Sequence, residues 1–345
     1  MTGLFVCLLI VLLIVVFSLQ FILNYTVFNK LDEIKHGADQ AIIITGCDSG
    51  IGLELAKYFY QETEFTIICG LLRPACSDGY KTLKEFGNPE RLVLKRLDIK
   101  SCEDIEEMVE YCYQLKKEIR ALINNAGVLN FGEFDWLTWD QIYSQVEVNL
   151  VGTLRLTRAL LPFIKESKGR IIYVSSVNDK LVFPGLSIYS ATKNALSTFS
   201  AGLGYEMRKF DVRVVTIRLG DFARLTNIMS HHGTNIDEMW KEMDTNKQNL
   251  YRGYFHRFNH HLLQNYGITS PKEFGQSTIF LDFRRAILSK NPPSTITCSP
   301  MAYRLIFFII EKVPTQMQYA LLDLLLRLAY KFEPTNQIKS SADIN

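Results

Sequence analysis

Tyr189 and Lys193 stand four residues apart in the stretch GRIIYVSSVNDKLVFPGLSIYSATK, residues 169–193. On a helix opening near Ser187, that spacing sets the two side chains on one face, one above the other. A phenol beside a fixed ammonium ion has its phenolate stabilised. The Tyr189 pKa is therefore expected to fall from about 10 toward working pH, which suits a general acid/base for an alcohol oxygen. The apolar run Ile171 to Val174 reads as a buried parallel strand that delivers Ser175-Ser176. A serine hydroxyl leaving that strand end could hold the same oxygen. Alone, the pair is weak evidence, because a tyrosine and a lysine sharing a helix face arise freely by chance. Its weight comes from the elements that would position it.

The chain has 345 residues, long enough for one large domain or two small ones with a sizeable core. Lys and Arg number 38 against 36 acids, so the charge balance gives no case for a nucleic-acid partner. Seven cysteines, at 7, 47, 69, 76, 102, 112 and 298, include no CxxC pair. Reduced thiols fit that pattern better than a disulfide framework or a structural zinc site.

No charged side chain precedes Lys30, and Leu4 to Leu23 is almost wholly apolar. About 20 such residues suffice to cross a bilayer. A cleaved signal peptide fits less well, because a basic n-region and a small-residue cleavage site are missing. A mitochondrial presequence is disfavoured by the lack of arginine and of a polar helical face. Residues 1–28 are therefore expected to anchor the chain in a membrane as a single pass. Lys30 and Lys35 follow the apolar run, which leans toward a cytosolic catalytic domain. Residues 29–40 read as a polar linker.

Ala41 to Ile44 reads as a buried strand running into Thr45-Gly46-Cys47-Asp48-Ser49-Gly50-Ile51-Gly52, with a helix continuing through Tyr60. Strand, glycine turn and helix N-terminus make a site for a dinucleotide pyrophosphate: glycines let the backbone approach and free N–H groups face the anion. Glu64 to Gly70 reads as a second strand. Its end normally decides the nucleotide, by an acid for the ribose of NAD or an arginine for the phosphate of NADP. Here Cys69-Gly70-Leu71-Leu72 supplies neither, and Arg73 lies slightly beyond. Arg91 to Leu97 is a third strand ending at Asp98-Ile99, where Asp98 is a natural partner for an adenine amino group. A helix over Cys102 to Lys117 follows. The strand Ala121 to Ile123 then runs into Asn124-Asn125-Ala126-Gly127. Trp139 to Lys165 reads as a long helix interrupted at Gly152, with Asn149 inside it. A further strand starts at Val212. This β-α-β-α alternation predicts a doubly wound parallel sheet with ligands at the strand C-terminal ends.

Beyond that strand, residues 223–268 form a polar and aromatic insert that reads as a helical lid over a pocket. His256 and His260 are four apart there, but without an intervening Glu they carry little of a metal motif. Thr295 to Cys298 could be a last edge strand. Tyr303 to Ile310 and Met317 to Phe332 are apolar helices that either pack as core and dimer surfaces or lie on the membrane beside the anchor.

Taken together, the motifs resemble those of the short-chain dehydrogenase/reductase family over roughly residues 41–226. The glycine turn, Asp98, Asn124-Asn125-Ala126-Gly127, Asn149, Ser176, Tyr189 and Lys193 fall in that family's order. The serine lies thirteen residues before the tyrosine and the asparagine forty before it, which selects Ser176 over Ser175. TGCDSG, the second strand with its cysteine, EVNLVGT and GYEMRKFDVRVV are similar to the branch holding retinol, hydroxysteroid and D-β-hydroxybutyrate dehydrogenases.

The resemblance implies a Rossmann-type dehydrogenase domain over residues 41–300, using NAD with NADP possible, and possible homodimers. It implies a nucleotide site built from Thr45, Gly46, Asp48, Ser49, Gly50, Ile51, Gly52, Cys69, Asp98, Ile99, Asn125, Ala126, Gly127, Tyr189, Lys193, Gly220 and Thr226. It further implies Tyr189 as proton donor, Ser176 holding the substrate oxygen, Lys193 on the nicotinamide ribose, and Asn149 continuing a proton relay. Two departures stand out. Leu219-Gly220 replaces the family's Pro-Gly, and Asn178-Asp179 follows the serine where glycine is common. The expected substrate is a steroid, sterol or retinoid alcohol met at an endoplasmic-reticulum membrane. D-3-hydroxybutyrate and a catalytically impaired scaffold are the alternatives.

Overall fold

The computed structural model describes residues 32–220, 222, 223, 226–266, 278–300, 303, 304, 307, 310, 311 and 313–330. The apolar run expected to anchor the chain lies outside them. Among the described residues no helix is long and apolar enough to cross a membrane.

Seven parallel strands form one sheet: β1 (Gln40–Thr45), β2 (Thr66–Leu71), β3 (Leu92–Arg96), β4 (Glu118–Asn124), β5 (Arg170–Ser176), β6 (Arg213–Leu219) and β7 (Thr295–Cys298). Their order is β3-β2-β1-β4-β5-β6-β7, so the chain switches direction between β1 and β4. Helices cover both faces, which is why the central strands are near-continuous apolar runs. With a side-chain period of two, Ile42 and Ile44 of β1 join one core while Ala41 and Ile43 join the other. The first core takes Leu55 and Phe59 from α1 (Gly50–Glu62) and Leu83 from α2 (Asp78–Phe86). The second takes Met108 from α3 (Cys102–Leu115) and, from two helices described next, Leu160 and Leu196.

The expected break at Gly152 is not a break. α4 (Trp139–Val146) passes through one wide π turn, Glu147–Gly152, into α5 (Thr153–Glu166). A Cβ on Gly152 would sit 2.8 Å from the carbonyl oxygen of Ile99, so glycine lets the helix cross close to the loop after β3. The wide turn holds Asn149 fully buried. π turns of this kind recur at functional sites. After β5 comes α6 (Ser187–Met207), and the insert folds as α7 (His232–Glu242) and α8 (Thr245–Tyr266).

Two features escaped the sequence pattern. α9 (Ile279–Leu288) closes the first core with Ile279, Phe283, Ala286 and Ile287. At ten residues, with Asp282, Arg284 and Arg285 among its apolar positions, it carries a weak signal. The described end of the linker is docked on this helix. Ile34 N–H donates to the Leu288 carbonyl at 2.8 Å, and the Arg284 guanidinium donates to the Glu33 carboxylate at 2.6 and 2.8 Å. The bidentate pair holds the Glu33 carboxyl below its usual range. α10 (Thr315–Tyr330) packs Leu322 against Leu181 and Ile310, while Met317, Tyr319 and Leu324 are exposed.

Candidate active site

At the C-terminal edge of the sheet lies a cleft of about 520 Å³, within the range of small-molecule and cofactor sites. β1 ends in a turn that two glycines in the left-handed region permit, Gly46 at φ 72° and Gly50 at φ 57°. α1 then starts with no side-chain cap from Ser49, so its first N–H groups face the cleft without an internal partner. Thr45 and Asn125 brace this turn. Thr45 Oγ1 accepts from the N–H groups of Asn125 and Ala126, both at 2.9 Å, and Asn125 Nδ2 donates to the Thr45 carbonyl at 2.8 Å. A Cβ on Gly52 would lie 2.3 Å from the Gly46 carbonyl oxygen. Glycine there allows α1 to pack on the turn.

β5 delivers Ser175 and Ser176 with different fates. Ser175 Oγ donates to the Lys193 carbonyl at 3.2 Å and belongs to a buried network. Ser176 Oγ accepts from the Asn178 N–H at 3.2 Å and lies near enough to the Tyr189 phenol to favour its ionisation slightly. The loop then turns at Gly185, φ 80°, whose Cβ would strike the Phe131 ring at 2.6 Å. That turn starts α6, which brings Tyr189 and Lys193 to the cleft one helical turn apart. Lys193 Nζ donates to the Val174 carbonyl at 2.9 Å and lies 5.7 Å from the centre of the Tyr189 ring.

The expected fall in the Tyr189 pKa is corrected by this geometry. Burial pushes the phenol up, to about 12, and the Ser176 hydroxyl offsets only part of that. Lys193 is 4 % exposed, and burial pushes its ammonium down to about 8. Burial disfavours the charged form of each group, which raises a phenol and lowers an ammonium.

Of the residues named from the sequence, Gly46, Asp48, Ser49, Gly50, Ile51, Asp98, Ile99, Asn125, Ala126, Gly127, Ser176, Tyr189, Lys193, Gly220 and Thr226 line the cleft. Thr45, Gly52, Cys69 and Asn149 do not. Thr45 and Gly52 shape the turn from behind. Cys69 is fully buried in the first core, since its place in β2 turns it away from the cleft. The amide of Asn149 ties the loop after β4 to α6: Oδ1 accepts from Val128 N–H at 2.8 Å, and Nδ2 donates to the Val128 carbonyl at 2.9 Å and to Thr192 Oγ1 at 3.2 Å. A Cβ on Gly127 would lie 3.2 Å from Asn149 Oδ1 and 3.5 Å from Lys193 Nζ. Glycine at 127 thus keeps the space between those two groups open.

The two departures from the family pattern meet in one network. Asn178 lines the cleft, but Asp179 turns inward. Its Oδ2 accepts from Ser197 Oγ at 2.5 Å and from Arg218 Nε at 2.8 Å. Arg218 directly precedes Leu219, which pairs with Ser176 on one side and Cys298 on the other. Gly220 N–H donates to the Cys298 carbonyl at 2.9 Å. The edge strand thereby fixes a turn that a proline ring would otherwise restrain.

The inserted helices are seated on Trp136, which the sequence did not single out. Its ring meets Tyr254, Phe255 and Phe258 of α8 at centroid distances of 5.3, 5.1 and 5.3 Å. Tyr254 also hydrogen-bonds Glu133. This seating brings Phe258, His261 and Leu262 to the cleft. Phe131, Val128, Leu129, Leu186 and Met229 complete a largely apolar wall that no local motif announced.

His232 is buried at the start of α7, and burial pushes its pKa down to about 4 while Asn259 pulls weakly the other way. A histidine whose folded pKa lies below the unfolded value contributes fully above pH of about 6.5, and its contribution falls away toward pH 4. Roughly 2–3 kcal/mol of stability is expected to go in that window. Urea midpoints at pH 7.5 and 5 measure it. The His232→Gln variant should show a visibly smaller difference, and an unchanged difference would remove His232 as its source.

A parallel sheet with a glycine turn, an uncapped helix start and a buried Tyr-Lys pair at one edge is the architecture with which oxidoreductases hold a nicotinamide dinucleotide. Residues 40–236 match the family model for short chain dehydrogenase. The chain belongs to the short chain dehydrogenase family, in a branch with hydroxysteroid and hydroxybutyrate dehydrogenases. It is 33 % identical over 227 residues to the mitochondrial D-beta-hydroxybutyrate dehydrogenase of Bos taurus, covering 63 % of this chain and 65 % of that protein. The match therefore spans just under two thirds of the bovine relative's length. It is 32 % identical over 292 residues to estradiol 17-beta-dehydrogenase 2 of Rattus norvegicus, covering 82 % of this chain and 74 % of the other. The 3-ketoacyl-(acyl-carrier-protein) reductase of Brucella melitensis, solved with NADH, superposes with a TM-score of 0.50 at 26 % identity, covering 55 % and 77 % of the two chains.

Proposed function

We propose that this chain is a membrane-anchored, NAD(P)-dependent oxidoreductase that interconverts a lipophilic secondary or allylic alcohol and its carbonyl. The supporting observation is the buried Tyr189–Lys193 pair beside Ser176, set between a glycine turn and an apolar wall. The turn, with its free helix N–H groups and glycine cradle, fits a dinucleotide pyrophosphate. When bound, that cofactor supplies hydride exchange at its nicotinamide carbon.

Ser176 holds the substrate oxygen by its hydroxyl and orients it toward Tyr189. Tyr189 gives or takes the hydroxyl proton, and burial keeps its phenol protonated before reaction. Lys193, with a pKa lowered to about 8, can exchange a proton near working pH. Lys193 Nζ and Asn149 Oδ1 both lie beside Gly127, in keeping with a relay there. The proposed organisation is anchor 1–28, linker 29–40, catalytic domain 41–300 with lid 223–268, and apolar tail 301–345.

Substrate class follows from the wall. Phe131, Phe183, Phe258, Leu262 and Phe307 line it, and the lysines among the described lining residues are Lys100 and Lys193. Lys100 follows Asp98 at the adenine end. A wall of this kind suits a steroid-, sterol- or retinoid-type alcohol better than a small hydroxy acid, whose carboxylate is costly to bury against apolar side chains. The long apolar run at residues 4–23 agrees with a substrate drawn from lipid.

The test is nicotinamide absorbance during incubation of the full chain, in detergent or vesicles, with steroid, sterol, retinoid and 3-hydroxybutyrate panels. Turnover confined to lipophilic alcohols is expected. Turnover of 3-hydroxybutyrate alone would reassign the substrate, and none with any fraction would leave a scaffold.

A further inference from the structure

The end of β2 lacks the acid that would read a ribose, yet a carboxylate occupies that place. Asp48 reaches across from the glycine turn. Its Oδ2 accepts from the Leu72 N–H at 2.8 Å and its Oδ1 from the Arg73 N–H at 3.2 Å. Leu72 and Arg73 are the two residues immediately beyond β2. In a doubly wound fold the group at this strand end meets the adenosine ribose. The Asp48 backbone is clamped as well. Gly79 N–H donates to its carbonyl at 3.1 Å, and a Cβ on Gly79 would sit 2.3 Å from that oxygen. Asp48 and Leu72 both line the cleft.

We infer that Asp48 is the residue by which this chain discriminates NAD(H) from NADP(H), in place of an acid carried by β2. The inference rests on the dinucleotide reading above. A carboxylate accepting one amide at each oxygen keeps a lone pair on each for ribose hydroxyls. The same charge set beside a 2′-phosphate is repulsive, and like-charge contacts at an interface cost several kcal/mol. Arg73 opposes this with a positive side chain, but that side chain is exposed, where solvent and salt screen it. The fixed and partly buried charge of Asp48 therefore decides.

Binding of NADH and NADPH to the full chain, followed by nicotinamide fluorescence, tests this without relying on turnover. The unaltered chain is expected to bind NADH at least about tenfold more tightly than NADPH. Asp48→Asn should close most of that gap from both sides, tightening NADPH as the repulsion goes and weakening NADH as the carboxylate acceptor for the ribose is lost. Asp48→Ser should act in the same direction, so a folding failure of one variant does not silence the experiment. Arg73→Gln should leave the preference for NADH in place. Equal weakening of both nucleotides in the Asp48 variants would make Asp48 a brace only and overturn the assignment, as would a preference that follows Arg73 instead. Failure of the unaltered chain to bind either nucleotide would overturn the dinucleotide reading itself.

Discussion

Tyr189→Phe is expected to lower turnover by about 10²- to 10⁴-fold, the range typical of a removed general acid or base. Nucleotide affinity should stay within about twofold, because the phenyl ring still fills its place beside Lys193. The variant should fold. It deletes one buried hydroxyl and leaves the packing of the ring in place, a change of about 1 kcal/mol. Single-turnover kinetics together with a nucleotide titration separate these effects. Retained turnover would move proton donation to another group. Loss of nucleotide binding along with turnover would instead mean that the hydroxyl maintains the cleft.

Trp136→Ala should have the largest effect on stability, about 3–5 kcal/mol, as for other fully buried aromatic truncations. The loss is expected to be local. The cluster around Trp136 gathers Met239, Tyr254, Phe255 and Phe258, whereas the two sheet cores are built from other residues. Hydrogen exchange should therefore rise across α7 and α8 while the central strands stay protected. Binding of a lipophilic substrate should weaken more than binding of nucleotide, because Phe258 and Leu262 reach the cleft only from a seated lid. A uniform rise in exchange over the sheet would show that lid and sheet unfold as one unit. A shift below about 1 kcal/mol would remove Trp136 as the lid's anchor.

These outcomes bear on how oxidoreductases of this kind divide their work. The glycine turn, β4 and β5 present backbone and hydroxyl groups at one edge of a rigid sheet, and the inserted helices supply the apolar wall. Chemistry and substrate choice thus rest on different elements. Changes in the lid should alter which alcohol enters without altering how its proton leaves.

The amino-acid sequence by itself determined what depends on neighbours a few residues away. Strand and helix periodicity located most of the doubly wound sheet, including the short edge strand at Thr295–Cys298. The glycine spacing located the dinucleotide turn, and a separation of four put Tyr189 and Lys193 on one helix face. Tertiary structure decided everything that depends on elements far apart. Burial raises the Tyr189 pKa where its ammonium neighbour alone would lower it: the neighbour is visible in the sequence, whereas desolvation arises only when distant strands and loops come together. α9, Trp136 under the lid, Cys69 in the core and the inward turn of Asp179 escaped for the same reason. Asp48 is the sharpest instance: its partners lie 24 and 25 residues away, and only the parallel pairing of β1 with β2 brings them within hydrogen-bond reach.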